Sequence, residues 1–535
     1  MLYAKLKLRK LEGKLADFSN PFLNSLQSCK ARDFIIAAAL FLVAFAGYAS
    51  VCTKALSNGD AAVYVQQMKN LNLGARSIHI GYYLLGAGFI RILPGSDDYA
   101  VNLMNCFLGA LTVALVYFIT LIICHKRLAA LFSGLFLLTH YIFLENSIYA
   151  EVYTPQICFL VLALLLWLLD RPIIAGLSFA LSLLITPSTI FALPLFFILR
   201  PRLRPLLLFC AVILAIAVAA ILPVYRDYFF GGRGLLKATN VSVDIGRALR
   251  KEGGEVFSSL FFCIPFVVAG LLELFGRKRF RPLGIALLAL WIVNLRFGEK
   301  FADVPVQLPT YVLLCLVGGL GVHLLLRVLK GRPYATILSA ALLSVLMVIA
   351  ILIKTTGTLA EVSRLLPKWF LITSVLCAVS CMLVAMLPVL RRIRAQIILV
   401  GAVVFAVSIN GFVAFSKIAQ LNKYHNGYRN SVIEVSNVTG PNYFLIGHWS
   451  QYILFEHYLF QESYTPYCDR INIRGLRRPA GGQKQSEAHK KLNEAIAARR
   501  QILLLGYYSG LFPALQRFGY KVTRVGYIYL ATPLR

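Results

Sequence analysis

Long apolar stretches recur through most of this 535-residue chain, and each is close to the length of a membrane span. A transmembrane helix needs about 20 mostly apolar residues to cross the hydrocarbon core of a bilayer. A membrane β-barrel would show ten-residue segments of alternating hydrophobicity instead, and the sequence has no such pattern. Hydrophobic residues make up 59% of the chain and charged residues 14%. The sequence therefore predicts a polytopic α-helical membrane protein.

The formal net charge of +31 comes largely from short basic runs between the apolar stretches. Lys and Arg are enriched in the cytoplasmic loops of membrane proteins, and this bias sets the orientation. Placing the runs inside predicts a cytoplasmic N-terminus over residues 1–33 and a periplasmic C-terminus. We therefore expect a multi-pass protein of the cytoplasmic (inner) membrane that binds no nucleic acid. The runs are His125-Lys126-Arg127, 200–204, 277–281 and 391–394.

Counting spans from the basic N-terminus places the first outer loop at residues 52–98. Within it, residues 80–94 are apolar but too short for a full span, and they contain Arg91. If this segment crossed the membrane, the later basic runs would fall outside. It is therefore predicted to be a juxtamembrane helix on the outer surface.

The alternation of apolar stretches and basic runs predicts about thirteen spans within a transmembrane domain of residues 34–415. Residues 173–199 break near Thr186-Pro187-Ser188 into two short half-spans. The other spans are expected at about 34–51, 99–123, 128–144, 152–169, 206–223, 257–275, 282–297, 308–328, 334–353, 369–389 and 395–415.

Residues 416–535 are more polar, and their apolar runs are short. Alternating strand and helix patterns predict a small periplasmic α/β domain. Strands are expected at 442–447, 501–506, 521–525 and 527–531. Helices are expected at 450–460 and 486–500, the second with Ser486 as its N-cap.

Three titratable residues are the candidates for chemistry on the outer face. Asp60 lies in the first outer loop, His79 opens the juxtamembrane segment, and Glu151 lies at the hairpin between two spans. Charged groups near the hydrocarbon are costly, which makes them functional candidates. Each also has a structural explanation. Asp60 could cap a helix that begins at Ala61, His79 could be an ordinary polar side chain at the interface, and Glu151 could pair with an arginine.

Four cations are predicted on the same outer side and could contact a phosphate. A single outer cation is also explained by solvation or by contact with lipid headgroups. These cations are Arg76, Arg226, Arg296 and Lys300.

At these residues the chain resembles the GT-C superfamily of polyprenyl-phosphate-sugar-dependent glycosyltransferases. It is similar to bacterial relatives of the protein O-mannosyltransferases and to the lipid A aminoarabinose transferases. Asp60 stands where the family keeps its catalytic acid, and residues 79–82 look like a degenerate His-Pro-Pro-Gly-Tyr-Pro segment. Residues 150–153 match an Ala-Glu-Val-Tyr hairpin. Many relatives have a second acid soon after the first, whereas Asp60 is followed by two alanines and a valine.

The resemblance implies transfer of a sugar from a polyprenyl-phosphate donor to a protein, lipid or glycan acceptor by one inverting displacement. Asp60 would be the catalytic base, and the four outer cations would bind the lipid phosphate. Glu151, His79, Tyr153 and Tyr82 would form the acceptor side of the active site. The one implied cofactor is a divalent metal cation held by Asp60, His79 and Glu151.

Two other functions fit the sequence. One is a flippase or transporter for lipid-linked glycans, and the other is an inactive scaffold with the same fold. A transporter should carry charged groups at mid-span and matching helix breaks in its two halves. In this sequence the charges gather at one face, and the break at Thr186-Pro187 has no clear counterpart. A surface reaction is therefore the preferred interpretation.

Overall fold

The fold was obtained as a computed structural model. It describes residues 31–71, 79–93, 95–199, 203–221, 259, 263–277, 280–290, 308–330, 393–437, 443–460, 470–472, 483–505, 508 and 511–534. The predicted spans at 334–353 and 369–389 lie outside these residues, as do the four candidate cations.

The first half of the chain is a series of apolar helices that follow the predicted spans closely. The helices are α1 (Ala31–Val51), α2 (Gly59–Asn70), α3 (Ile80–Ile92), α4 (Asp97–Cys124), α5 (Arg127–Leu138), α6 (Tyr141–Ile148), α7 (Tyr153–Leu168), α8 (Pro172–Ile185) and α9 (Leu193–Leu199). The predicted break at Thr186-Pro187 is confirmed, because α8 ends at Ile185 and a 3₁₀ turn follows over Pro187–Ala192.

The second half adds further apolar helices and then a β-sheet. The helices are α10 (Leu203–Ile216, continued by a π-turn over Ala217–Ile221), α11 (Ile264–Gly276), α12 (Arg281–Leu290), α13 (Leu308–Lys330) and α14 (Ile393–Ser436). After α14 come β1 (Tyr443–Gly447), α15 (Trp449–Phe460), β2 (Arg470–Asn472), α16 (Gln483–Ala497), β3 (Gln501–Leu504), α17 (Phe512–Arg517), β4 (Tyr520–Val525) and β5 (Ile528–Pro533).

Five of the described helices are long and apolar enough to cross a bilayer, which makes the chain an integral membrane protein. A sixth span is formed if α5 and α6, which meet at a 63° bend, are taken together. Helix α3, with 13 residues, is too short to be one of them, as predicted. The total of about thirteen spans stays a prediction.

Helix α14 continues beyond residue 415, where the last span was predicted to end. The helix reaches Ser436 and is 44 residues long. Polar residues from Ser416 onward end the hydrophobic pattern, but nothing in this segment ends a helix. It contains no proline, and Gly427 is its one glycine. The hydrophobic pattern therefore predicted the apolar part of this helix and did not show where the helix stops.

The described residues form two compact units. The first comprises residues 1–50, 76–82 and 105–417, and the second comprises 51–75, 83–104 and 418–535. In the first unit α11 packs on α13, α13 on α5, and α7 on α8. A buried carboxylate on α11, Glu273, is held there by Arg277 and by Arg327 of α13, each at 2.9 Å. A buried charge needs such partners to be tolerated.

The second unit contains a five-stranded sheet in the order β2-β1-β3-β5-β4. Strand β1 pairs in parallel with β2 and β3, whereas β5 pairs antiparallel with β3 and β4. Every residue of β1 is buried, as expected for a central strand. Phe444 and Ile446 pack with Leu492 of α16 and Leu515 of α17 on one face. The predicted strands are confirmed as elements of this sheet.

Helix α16 begins earlier than predicted. It starts at Gln483, so Ser486 lies inside the first turn and is not the N-cap. Two glycines, Gly481 and Gly482, precede the helix, and glycine is a poor helix former. The helix therefore begins directly after them and runs through the serine.

Candidate functional site

The candidate catalytic carboxylate, Asp60, lies at the start of α2 but does not cap it. Asn58 is the N-cap, and its side-chain oxygen accepts a hydrogen bond from the backbone N–H of Ala61 at 2.9 Å. This geometry is the usual one for an N-cap residue. The structural explanation of Asp60 as a helix cap is therefore wrong.

Asp60 is exposed, whereas its neighbours Gly59, Ala61 and Ala62 are buried. A carboxylate in the first turn of a helix is favoured by the helix dipole. A second acid at position 61 or 62 would be buried in the protein, where an unpaired charge is costly. The packing of this helix therefore disfavours a second acid directly after Asp60.

The backbone that leads into Asp60 is held by side chains from elsewhere in the second unit. The side-chain amide of Asn102, on α4, donates to the carbonyl oxygens of Thr53 at 2.9 Å and of Ala55 at 3.2 Å. The backbone N–H of Leu56 donates to the hydroxyl of Tyr458, on α15, at 2.8 Å. Backbone groups of an irregular segment must find partners when they are buried, and these side chains supply them.

Helix α15 also contacts the residue directly before Asp60. The backbone N–H of Gly59 donates to the Ser450 hydroxyl at 2.8 Å. A Cβ atom at position 59 would lie 2.9 Å from the Ser450 Cα, which is closer than van der Waals contact. Glycine is therefore required for α2 and α15 to approach each other here. Together these contacts hold the backbone that leads into Asp60.

His79 and Tyr82 lie in the first unit, at the beginning of α3. The Nδ1 of His79 donates to the carbonyl oxygen of Ile185 at 2.7 Å. That carbonyl lies in the last turn of α8, where the chain breaks before Pro187 and leaves acceptors without helix partners. Gly81 allows the approach, because a Cβ there would lie 3.0 Å from the Ile185 side chain. His79 thus supports the helix break, and Tyr82 is fully buried.

Glu151 lies between α6 and α7, and Tyr153 is the first residue of α7; both are in the first unit and partly buried. The side-chain amide of Asn105, on α4, donates to the carbonyl oxygens of Tyr149 at 2.5 Å and of Glu151 at 2.7 Å. One buried asparagine therefore fixes the backbone of the hairpin that carries the second candidate carboxylate.

Burial changes the proton affinity of two groups near these segments. It lowers the pKa of His79, because desolvation disfavours the imidazolium, and the hydrogen bond to Ile185 opposes this only in part. It raises the pKa of Tyr458 above its ordinary value, mainly by desolvation, so the phenol stays protonated.

The described residues contain no group of three or more His, Cys, Asp or Glu side chains placed to hold a metal ion. Asp60 belongs to the second unit, and His79, Tyr82, Glu151 and Tyr153 belong to the first. The metal site predicted at Asp60, His79 and Glu151 therefore stays a prediction. Arg76, Arg226, Arg296 and Lys300 lie outside it.

Sequence reasoning missed the residues that position the candidate carboxylates. Asn102 and Asn105 carried a signal, because buried amides inside an apolar helix are uncommon and mark functional or structural sites. Ser450 and Tyr458 carried none. Their partners, Gly59 and Leu56, are 391 and 402 residues away in the sequence.

Known structures resemble the chain over almost its whole length, although no family model and no curated protein matches its sequence. ArnT from Cupriavidus metallidurans in the apo state superimposes with a TM-score of 0.56 at 12% identity, covering 93% of this chain and 98% of ArnT. ArnT bound to undecaprenyl phosphate gives a TM-score of 0.56 at 11% identity, covering 94% and 99%.

The archaeal oligosaccharyltransferase AglB from Archaeoglobus fulgidus, in complex with an inhibitory peptide and a dolichol-phosphate, has a TM-score of 0.45 at 13% identity. That match covers 93% of this chain and 74% of AglB. The chain therefore shares its fold with ArnT.

We predict that Tyr458→Phe will weaken both folding and activity. The change removes the acceptor for the buried N–H of Leu56, which should cost about 1–3 kcal/mol. Asp60 would then lose part of its positioning. The control is Tyr520→Phe, which removes a hydrogen bond to the Arg500 carbonyl in the sheet. The unfolding temperature should fall in both variants, whereas the activity that depends on Asp60 should fall only in Tyr458→Phe. Equal activity of the two variants would contradict the positioning role of Tyr458.

We predict that Asn105→Asp will disturb the Glu151 hairpin. A carboxylate oxygen would face two carbonyl oxygens in place of the amide donor, so both hydrogen bonds are lost at about 1–3 kcal/mol. The matched control is Asn493→Asp on the exposed side of α16. Thermal unfolding of the purified protein should show a drop for the first variant alone, and an unchanged melting temperature would refute the role of Asn105.

We predict that acidification will destabilise the protein partly through His79. The folded chain holds a proton on this imidazole less well than the unfolded chain does, because burial lowers its pKa. Stability is therefore complete above about pH 6.5, the unfolded value, and decreases as the pH falls from there towards the folded pKa. His79→Gln keeps a donor for Ile185 but cannot titrate. Its unfolding free energy should change less than that of the wild type over this range, and parallel curves would exclude the effect.

Proposed function

We propose that this protein is an integral-membrane glycosyltransferase that moves a sugar from a polyprenyl-phosphate donor to an acceptor on the outer face of the membrane. The observation that carries the proposal is the exposed Asp60 carboxylate on a backbone held by Asn102, Tyr458 and Ser450. A catalytic group must be held close to one geometry, and support of this kind achieves it. The fold shared with ArnT, which binds undecaprenyl phosphate, supports the donor class.

The proposed reaction is a single inverting displacement. A hydroxyl oxygen of the acceptor attacks the anomeric carbon of the sugar, and the bond from that carbon to the phosphate oxygen breaks. The electron pair of that bond leaves with the polyprenyl phosphate. The hydroxyl proton passes to the Asp60 carboxylate, which acts as general base.

The other proposed roles concern the phosphate and the acceptor. Cations near the phosphate would offset the charge that grows on it as the bond breaks, which is a common source of catalysis. Arg76, Arg226, Arg296 and Lys300 are proposed for this role from the sequence. Glu151, with its hairpin fixed by Asn105, is proposed to contact the acceptor together with Tyr153. His79 and Tyr82 are proposed to shape the acceptor side of the site by holding the start of α3 in place. No step is assigned to a metal.

Orientation is part of the proposal. The basic runs place the N-terminus in the cytoplasm and the β-sheet in the periplasm of an inner-membrane protein. The polyprenyl chain of the donor would lie between apolar helices of the membrane domain.

We predict that Asp60→Asn will fold normally and lose transfer. The side chain is exposed, so little packing is lost, whereas removal of a general base lowers rates by about 10²–10⁴-fold. The measurement is release of undecaprenyl phosphate from a panel of undecaprenyl-phosphate sugars by protein in lipid nanodiscs, with neutral trisaccharides added as hydroxyl acceptors. Glu494→Gln, an exposed acid on α16, is the control and should be fully active. Near-normal release by the Asp60 variant would remove it from the mechanism.

The same assay separates the alternatives. A flippase would move the lipid-linked sugar across the bilayer without releasing the lipid phosphate. An inactive scaffold would do neither. Release that depends on Asp60 fits only the transferase.

A further inference from the structure

A cavity of about 320 Å³ lies in the second unit, away from the exposed carboxylate of Asp60. Four elements line it: the C-terminal half of α2, the start of α4, the extension of α14, and α15. The titratable side chains that line it are Lys69, Asp97, Asp98, Arg429, His457 and Tyr458. None of these residues has a role in the proposed reaction except Tyr458, whose hydroxyl holds Leu56.

The charges that line the cavity cancel. Lys69 Nζ lies 3.4 Å from Asp97 Oδ2, and His457 Nε2 lies 2.9 Å from Asp98 Oδ1. Two carboxylates, Asp97 and Asp98, therefore face two permanent cations, Lys69 and Arg429. An ionised phosphate would be attracted by the two cations and repelled by the two carboxylates beside them. The cavity consequently favours an uncharged, polar ligand.

His457 gives an independent observation that points to a polar ligand. Its side chain is 7% exposed, and within the described residues its Nδ1 has no hydrogen-bond partner. A carboxylate can only accept, so Nε2 donates to Asp98, and Nδ1 is the ring nitrogen left to bond. Buried polar atoms are nearly always paired, so Nδ1 calls for a group that can hydrogen-bond to it.

Arg429 adds hydrogen-bond donors to the cavity. Its guanidinium lies 5.9 Å from the centre of the Tyr458 ring, and it has five N–H groups to donate. The cavity therefore presents acceptors at Asp97 and Asp98, donors at Arg429 and Lys69, and the Nδ1 atom of His457. A hydroxyl group both donates and accepts, so a ligand with several hydroxyls can bond to all of these groups.

We propose that this cavity binds an uncharged carbohydrate segment through its hydroxyl groups. Asp60 lies on the same helix as the lining residues Val65, Gln66 and Lys69, which follow it by five to nine residues, about 8–14 Å along the helix axis. A sugar bound in the cavity would thus lie further along α2 than the catalytic carboxylate. This assignment of the acceptor rests on the proposed function. The acceptor is then a glycan longer than one sugar, and the cavity binds the part of it that lies away from the reacting hydroxyl. Binding energy from such a remote contact can position the reacting hydroxyl.

The test is equilibrium binding of neutral trisaccharides to the full-length protein in nanodiscs, measured by titration calorimetry without any donor. The panel contains trisaccharides of glucose, mannose, galactose and N-acetylglucosamine. At least one should bind, and Arg429→Gln should weaken it about tenfold, the loss expected for one hydrogen bond to a charged group. Arg517→Gln, an exposed arginine on α17, is the matched control and should bind as the wild type does.

Binding by no member of the panel, or equal binding by Arg429→Gln and wild type, would overturn the proposal. So would binding of glycerophosphoethanolamine in place of every trisaccharide, since a zwitterionic lipid headgroup would then be the ligand. Unfolding temperatures of the two arginine variants should agree, because both side chains are at least partly exposed. Trisaccharide binding without glycosyl transfer would overturn the proposed function alone, and transfer without trisaccharide binding would overturn this site alone.

Discussion

The backbone between α1 and α2 has polar groups that no helix or strand pairs, and the position of Asp60 depends on the side chains that pair them. A buried N–H or C=O without a partner costs free energy comparable to a lost hydrogen bond. Asn102, Tyr458 and Ser450 come from two helices and meet this need at four backbone groups. Side-chain hydrogen bonds therefore hold this irregular backbone in one position, as backbone hydrogen bonds do in a helix.

The same solution occurs in the first unit with different partners. Asn105 donates to two carbonyl oxygens of the Glu151 hairpin, and His79 donates to a carbonyl freed where α8 ends. In each case a polar side chain is buried among apolar residues because it donates a hydrogen bond to a backbone carbonyl that has no partner in a helix or strand. These buried polar residues are explained by their backbone partners, and their rarity in apolar helices is what makes them visible in a sequence.

The parts of the fold that follow from local physics were predictable. The length of the apolar stretches predicted α1 and α4, and Pro187 predicted the break after Ile185. Short apolar runs between helical stretches predicted the strands of the sheet. Two kinds of feature were not. The end of α14 was missed because a polar face stops a hydrophobic pattern without stopping a helix. The support of Asp60 was missed because its partners are hundreds of residues distant, and a single sequence carries no record of such pairs.

The last part of α14, after Lys417, contacts the rest of the second unit on opposite sides. At about 100° per residue, Gly427 and Ser431 share one side, where they meet Tyr527 of the β4–β5 turn. Asn422 and Arg429 share the other, where Asn422 donates to the Val51 carbonyl and Arg429 lines the cavity. Inserting one residue between Asn422 and Gly427 would rotate Asn422 by about 100° relative to Gly427, Arg429 and Ser431, so the contacts before and after the insertion could not all be kept. This stretch of helix is therefore intolerant of length changes, although its exposed positions remain free to vary in residue type.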